Sequence, residues 1–119
     1  MITQDKCSIK LVEKEDYNNL INFLHREDKK NRDLGFWNAK INLWWESNPF
    51  FKKECKRGYI IVDQKNKIRG FFGLIVFDYV YKKNKYSCYS HTNIVVDVNF
   101  RHESLRLIHR VFLNKNIDI

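Results

Sequence analysis

The sequence contains one proline, three cysteines and no apolar run near the roughly 20 residues that a membrane span requires. The lone proline, Pro49, stands apart from any repeat, low-complexity tract or Pro/Gly-rich stretch, so nothing divides the chain. Its 119 residues read as a single domain, 1–119. Cys7, Cys55 and Cys88 are odd in number, widely spaced and outside any C-x-x-C pair. That pattern indicates neither a disulfide framework nor a zinc site, and leaves three reduced, mostly buried thiols. The N-terminal "MITQDKCSIK" lacks the apolar stretch of a secretory signal, so the expected location is the cytoplasm, with no membrane partner.

A hydrophobic content of 44%, with 15% aromatic residues, is enough for a core in a chain of this length. Lys and Arg outnumber Asp and Glu by 22 to 14, a formal charge of +8 that concentrates anions near the surface. Nucleic acid and a polyphosphate cofactor both fit that charge. The lysine pairs at 29–30, 52–53 and 82–83 are read as a solvated surface.

Periodicity supplies the element order. "CSIKLV" alternates Cys7, Ile9 and Leu11 against Ser8 and Lys10, as a half-buried strand does. Asp16 stands at an N-cap position, followed by Tyr17, Leu20, Ile21 and Leu24 at helical spacing. Trp37, Ile41, Trp44 and Trp45 mark a second helix with an aromatic core stripe, and "SNP" stops it. The period then changes to two. "GYIIV" (58–62), "GFFGLIVFDYVY" (70–81) and "YSCYSHTNIVVDV" (86–98) are three strands, joined as antiparallel hairpins by "DQKNK" and "KKNK", each with an asparagine that tolerates turn geometry. A helix from about Ser104, with Leu105, Ile108 and Phe112 inward, completes the order β-α-α-β-β-β-α in an α/β (α+β) domain with a mainly antiparallel sheet.

The join "NIVVDVNFRHES" passes a strand into a helix, and the first N–H groups of a helix are unpaired donors that can hold an anion. With the element order, "WWESNPF" and "RGYIIVDQKNKIRGFFGLI", this join resembles the GCN5-related N-acetyltransferase (GNAT) family over nearly the whole chain. The resemblance implies acetyl-CoA as cofactor, with Ile94, Val95 and Val96 as the strand end. Arg101, His102, Glu103, Ser104, Leu105 and Arg106 then form the segment that wraps the pyrophosphate. Ser104 and Arg106 occupy positions where the family prefers glycine. Arg106 would clamp the pyrophosphate from the side, close the cradle with its bulk, or simply face solvent from the helix. The family also continues with a fifth strand, of which "NKNIDI" resembles the start, so the chain looks truncated. Strand four then has an open edge through which a homodimer could form.

Transfer of an acetyl group to a small-molecule or protein amine needs a proton acceptor, for which His91 is the candidate, with Asp97 placed to orient substrate. Simple alternation puts His91, Asn93, Val95 and Asp97 on one side of the strand, and Ile94, Val96 and Val98 on the other. His102 and His109 lie seven apart on one helical face, a pair without the further ligands of a metal site. The expected function is acetyl-CoA-dependent N-acyl transfer, or that of a catalytically impaired relative. The alternative is a small basic module that binds nucleic acid or a protein through Arg101, Arg106 and Arg110.

Overall fold

A computed structural model of the chain describes residues 7–112. The first strand, β1 (Cys7–Leu11), leads through a short 3-10 turn (Lys14–Asp16) into α1 (Tyr17–Glu27). Next come α2 (Leu34–Ile41) and then β2 (Gly58–Asp63), β3 (Ile68–Tyr81) and β4 (Asn84–Val96). A second 3-10 turn (Val98–Glu103) opens α3 (Ser104–Phe112). The strands form one antiparallel sheet in the order β1-β2-β3-β4, the mixed α+β architecture expected from the period changes. No helix among the described residues is long and apolar enough to cross a membrane. The tail "NKNIDI", expected to begin a further strand, lies outside the described residues.

Alternation along the strands sorts the core into two faces. On one, Leu20, Phe23, Leu24, Trp37, Ile41, Trp44 and Trp45 from the first two helices pack against Ile60, Val62 and Phe71. On the other, Leu107 and Val111 of α3 pack against Tyr59, Ile61, Phe72 and Leu74. Burying each such side chain contributes about 1.5–3 kcal/mol. Because helices cover both faces of β2, every residue from Gly58 to Asp63 is buried, which is why "GYIIV" is an unbroken apolar run.

The Trp-rich helix widens into a π-turn at Asn42–Glu46, and both Trp44 and Trp45 turn into the core. A buried indole N–H needs an acceptor, and Trp45 Nε1 donates to the Leu74 carbonyl at 2.8 Å. Asn48, just before Pro49, donates to the Trp44 and Val76 carbonyls at 3.0 and 2.8 Å and accepts from Phe50 N–H at 2.9 Å. The "SNP" stop therefore also fastens the helix end to β3.

Three local expectations change. Asp16 does not cap α1 from its side chain; its carboxylate accepts from Glu13 N–H at 2.8 Å and Lys10 Nζ at 3.3 Å, holding the turn that precedes the helix. In α3 the inward residues are Leu107 and Val111, with Ile108 half-buried against the same cluster as expected, while Leu105 is 79% exposed and the side chain of Phe112 lies outside the described residues. The helix carries two overlapping apolar stripes. The 3-10 turn before it advances about 120° per residue instead of 100°, which sets a different rotational phase at entry. In "KKNK" the turn positions with positive φ are Lys82 and Lys83, at 50° and 69°, and Asn84 already belongs to β4. Asn66, at φ 61°, takes the turn role expected in "DQKNK".

Two outcomes are expected. Native tryptophan emission should be blue-shifted and move red on denaturation, since Trp37, Trp44 and Trp45 are all buried. In urea titrations, Asn48→Ala should lower stability by about 1–3 kcal/mol, because it leaves backbone groups at the helix end and on β3 without their partner.

Candidate functional site

The site region begins at an irregularity in β4. Phe72 pairs with Ile94 and Leu74 with His91, so Thr92 and Asn93 together face the single residue Gly73. Two residues opposite one make a β-bulge, which resets the alternation of side chains. Cross-strand partners share a face, so His91 lies on the same side as Leu74, Ile94 and Val96, and on the opposite side from Val95. Unbroken alternation had separated His91 from Ile94 and Val96; the bulge reunites them. Gly73 is what permits the close approach. A Cβ there would lie 2.0 Å from Thr92 Oγ1 and 2.5 Å from the Phe71 ring. The Thr92 hydroxyl is buried with no hydrogen-bond partner.

At the end of β4, Asp97 is buried and both its oxygens are engaged. One accepts from Asn99 N–H at 3.0 Å, capping the 3-10 turn, and the other from the Arg69 guanidinium at 2.9 Å. Arg69 simultaneously bonds Asp63 at 2.9 Å and lies over the Phe100 ring, 5.2 Å from its centroid. Burial raises the pKa of Asp97, but the Asn99 N–H and the Arg69 guanidinium outweigh it and hold the group below the usual carboxylate range. Asp63 is lowered in the same way: burial opposes, and the Lys67 N–H, Arg69 and the Lys65 N–H prevail. Asp97 thus organises the strand-to-helix join; it is not a free carboxylate awaiting a substrate.

The 3-10 turn also changes the expected anion cradle. Each N–H in such a turn bonds the carbonyl three residues back, and Ser104 N–H continues the pattern by donating to the Arg101 carbonyl. The turn thus draws amides of the join, those of Phe100 and Ser104 among them, into its own bonds, and what the join offers is side chains. A groove of about 430 Å³ is lined by Ile94, Val95 and Val96 from β4, Arg101 and Ser104 from the join, Glu27 from the end of α1 and Lys29 from the turn just after it. Among the described residues no strand pairs with the outer edge of β4 beside it.

The residues expected at the cofactor site divide accordingly. Ile94, Val95, Val96, Arg101 and Ser104 come together in the groove. His102 stacks on Phe100, with ring centroids 6.2 Å apart. Glu103 bonds Arg106, and Arg106, His109 and Arg110 border a separate depression against Cys7, Ser8 and Ile9 of β1. Leu105 projects into solvent. Arg106 therefore neither clamps nor closes the groove; about half a turn of helix past Ser104 carries it to the β1 side. Lys29 and Glu27 were missed, since the proximity of a helix end to β4 is tertiary and "KK" at 29–30 carries no local sign of it.

No protein-family model matches the chain, and no curated protein does. Among solved structures, the chain is similar to a Trypanosoma brucei acetyltransferase, with a TM-score of 0.58 over 88% of this chain and 71% of that one, at 15% identity. The likeness is one of fold.

The Arg69 cluster generates a test. Carboxylates with lowered pKa stabilise the fold above their unfolded value of about 3.9, and that contribution disappears as pH falls through the folded value. Arg69→Met should cost about 2–3 kcal/mol at pH 7, below the range for a fully buried pair because the Arg69 side chain is 23% exposed. The gap between variant and wild type in urea midpoints should narrow progressively below about pH 4.

Proposed function

We propose that the chain binds acetyl-CoA in the groove between the end of β4 and α3 and transfers the acetyl group to an amine, as an N-acyltransferase or a catalytically impaired relative of one. The observation that carries this reading is the gathering of Ile94, Val95, Val96, Arg101 and Ser104 with Lys29 in one groove beside an open strand edge. The fold shared with the trypanosomal acetyltransferase supports it.

The residues present fit the cofactor through side chains and the strand edge. Lys29 and Arg101 supply cations for phosphate, and the Ser104 hydroxyl supplies a neutral donor. The N–H and C=O groups along the β4 edge match the amides of a pantetheine arm, as an edge strand matches an added peptide. When bound, acetyl-CoA supplies an acyl group activated as a thioester. The acceptor nitrogen must lose a proton as it attacks. The exposed imidazole of His91, on the face of Ile94 and Val96, is suited to take it. Asp97 has no part in this chemistry, because its oxygens are committed to Arg69 and Asn99.

Calorimetric titration with coenzyme A and acetyl-CoA is the direct test. Binding should be lost in Ser104→Trp, which fills the groove, with an unchanged circular dichroism spectrum. It should weaken by about 1 kcal/mol in Lys29→Ala and in Arg101→Ala, since exposed charges are screened. Arg106→Ala should leave it nearly unchanged. His91→Gln should lower acetyl transfer roughly 10²–10⁴-fold while preserving cofactor affinity. Absence of heat with both ligands would overturn the reading.

A further inference from the structure

Beyond Gly73 the hairpin of β3 and β4 outruns the rest of the sheet: β2 pairs with β3 only as far as Gly73, while β3–β4 pairing continues to Tyr81 and Asn84. The helices α1 and α2 pack near Phe71 and Ile75, so the outer ribbon extends past them. Its side chains are not distributed as a solvated hairpin would have them. Phe77, Tyr79 and Tyr81 alternate onto one face of β3, and Tyr86 lies opposite Tyr79 on β4 with ring centroids 5.3 Å apart. These rings are 38%, 46%, 57% and 41% exposed. Same-face neighbours on a strand stand roughly 7 Å apart, so the rings make a continuous aromatic row.

The row ends in a turn of unfavourable composition. A two-residue hairpin loop with both φ values positive is best served by Asn-Gly, since a Cβ disfavours this backbone region. Here Lys82 and Lys83 occupy it at φ 50° and 69°. Lysine adds nothing to the turn that asparagine or glycine does not provide better; what it adds is charge. Lys82 Nζ stands 5.4 Å from the Tyr81 ring centroid, so cation and aromatic face form one surface, in a chain of net charge +8. Backbone strain retained at an exposed tip is a sign of function.

We propose that this ribbon is a docking platform for single-stranded nucleic acid, with unpaired bases stacking on the row of Tyr79, Tyr81, Tyr86 and Phe77 and the backbone phosphates meeting Lys82 and Lys83. Single strands are the matching form because their base faces are open to aromatic rings, whereas a duplex offers the lysines only its phosphates. An acidic protein surface likewise uses the lysines and leaves the row without a role.

Fluorescence anisotropy of a labelled oligothymidylate, measured on the full chain at several salt concentrations, tests the assignment. The oligonucleotide should bind more tightly than a duplex of equal length, and polyglutamate should compete poorly. Tyr81→Ala and Tyr86→Ala should each weaken binding roughly fivefold or more. The double variant Lys82→Asn/Lys83→Gly separates function from folding. It should raise the thermal midpoint by relieving the turn, yet weaken binding and flatten its salt dependence. Equal binding of duplex or polyglutamate, or unchanged affinity in the variants, overturns the proposal. Light scattering that shows a dimer dispersed by Tyr81→Ala also overturns it, since the occupant is then a second copy of the chain.

Discussion

Arg69 is the group on which the working end of the molecule depends. It sits near the start of β3, and its guanidinium joins Asp63 at the end of β2 to Asp97 at the end of β4. Its carbonyl accepts Asp97 N–H at 2.8 Å, and its plane covers Phe100, the buried residue of the 3-10 turn. A planar cation with several fixed donors can hold two carboxylates at once, which the point charge of a lysine cannot do with the same geometry. The ends of three strands and the entry to α3 are thereby fixed relative to one another. Arg101 and Ser104 take their places in the groove because the turn carrying them is anchored at Asp97 and Phe100.

Much of this architecture is legible in the residues. The change of period at Gly58 marks the passage from helices to strands, and the apolar spacing in the first two helices predicts their inward residues correctly. What periodicity does not convey is where it is interrupted. The bulge at Thr92–Asn93 leaves no compositional mark, since its requirement lies across the ladder in the missing Cβ of Gly73. The 3-10 turn before α3 is equally silent, because "VNFRHE" suits a loop, a turn or a helix, and the choice is made by Asp97 and Phe100 through their contacts with Arg69. These two interruptions account for the misjudged face of His91, the phase of α3 and the direction of Arg106. The groove was half legible: its β4 and α3 sides follow from the chain order, whereas Lys29 arrives from the turn after a helix distant in sequence.

The groove and the ribbon lie on the same strand yet ask different things of it. Near Val95, β4 is backed by Phe71 and the helical core, which gives side chains there a fixed setting. Beyond Tyr79 it is one half of a two-stranded arm whose residues are mostly exposed, and such arms are marginally stable without a partner to cover them. The rigid half suits recognition of a ligand by placed groups, and the exposed half suits a ligand that is itself irregular and can conform.

The bulge also gives β4 a tolerance of length at one place. In a regular strand, losing one residue exchanges the faces of everything on one side of the loss relative to the other. Here Thr92 and Asn93 together stand opposite Gly73, so deleting either one restores one-to-one pairing and keeps Ile94 against Phe72, His91 against Leu74 and Tyr86 against Tyr79. A deletion at Ser90 meets no such slack and turns Tyr86 away from the face of Tyr79. A codon is therefore expendable at the bulge, without disturbing the groove or the arm, where its neighbours are not.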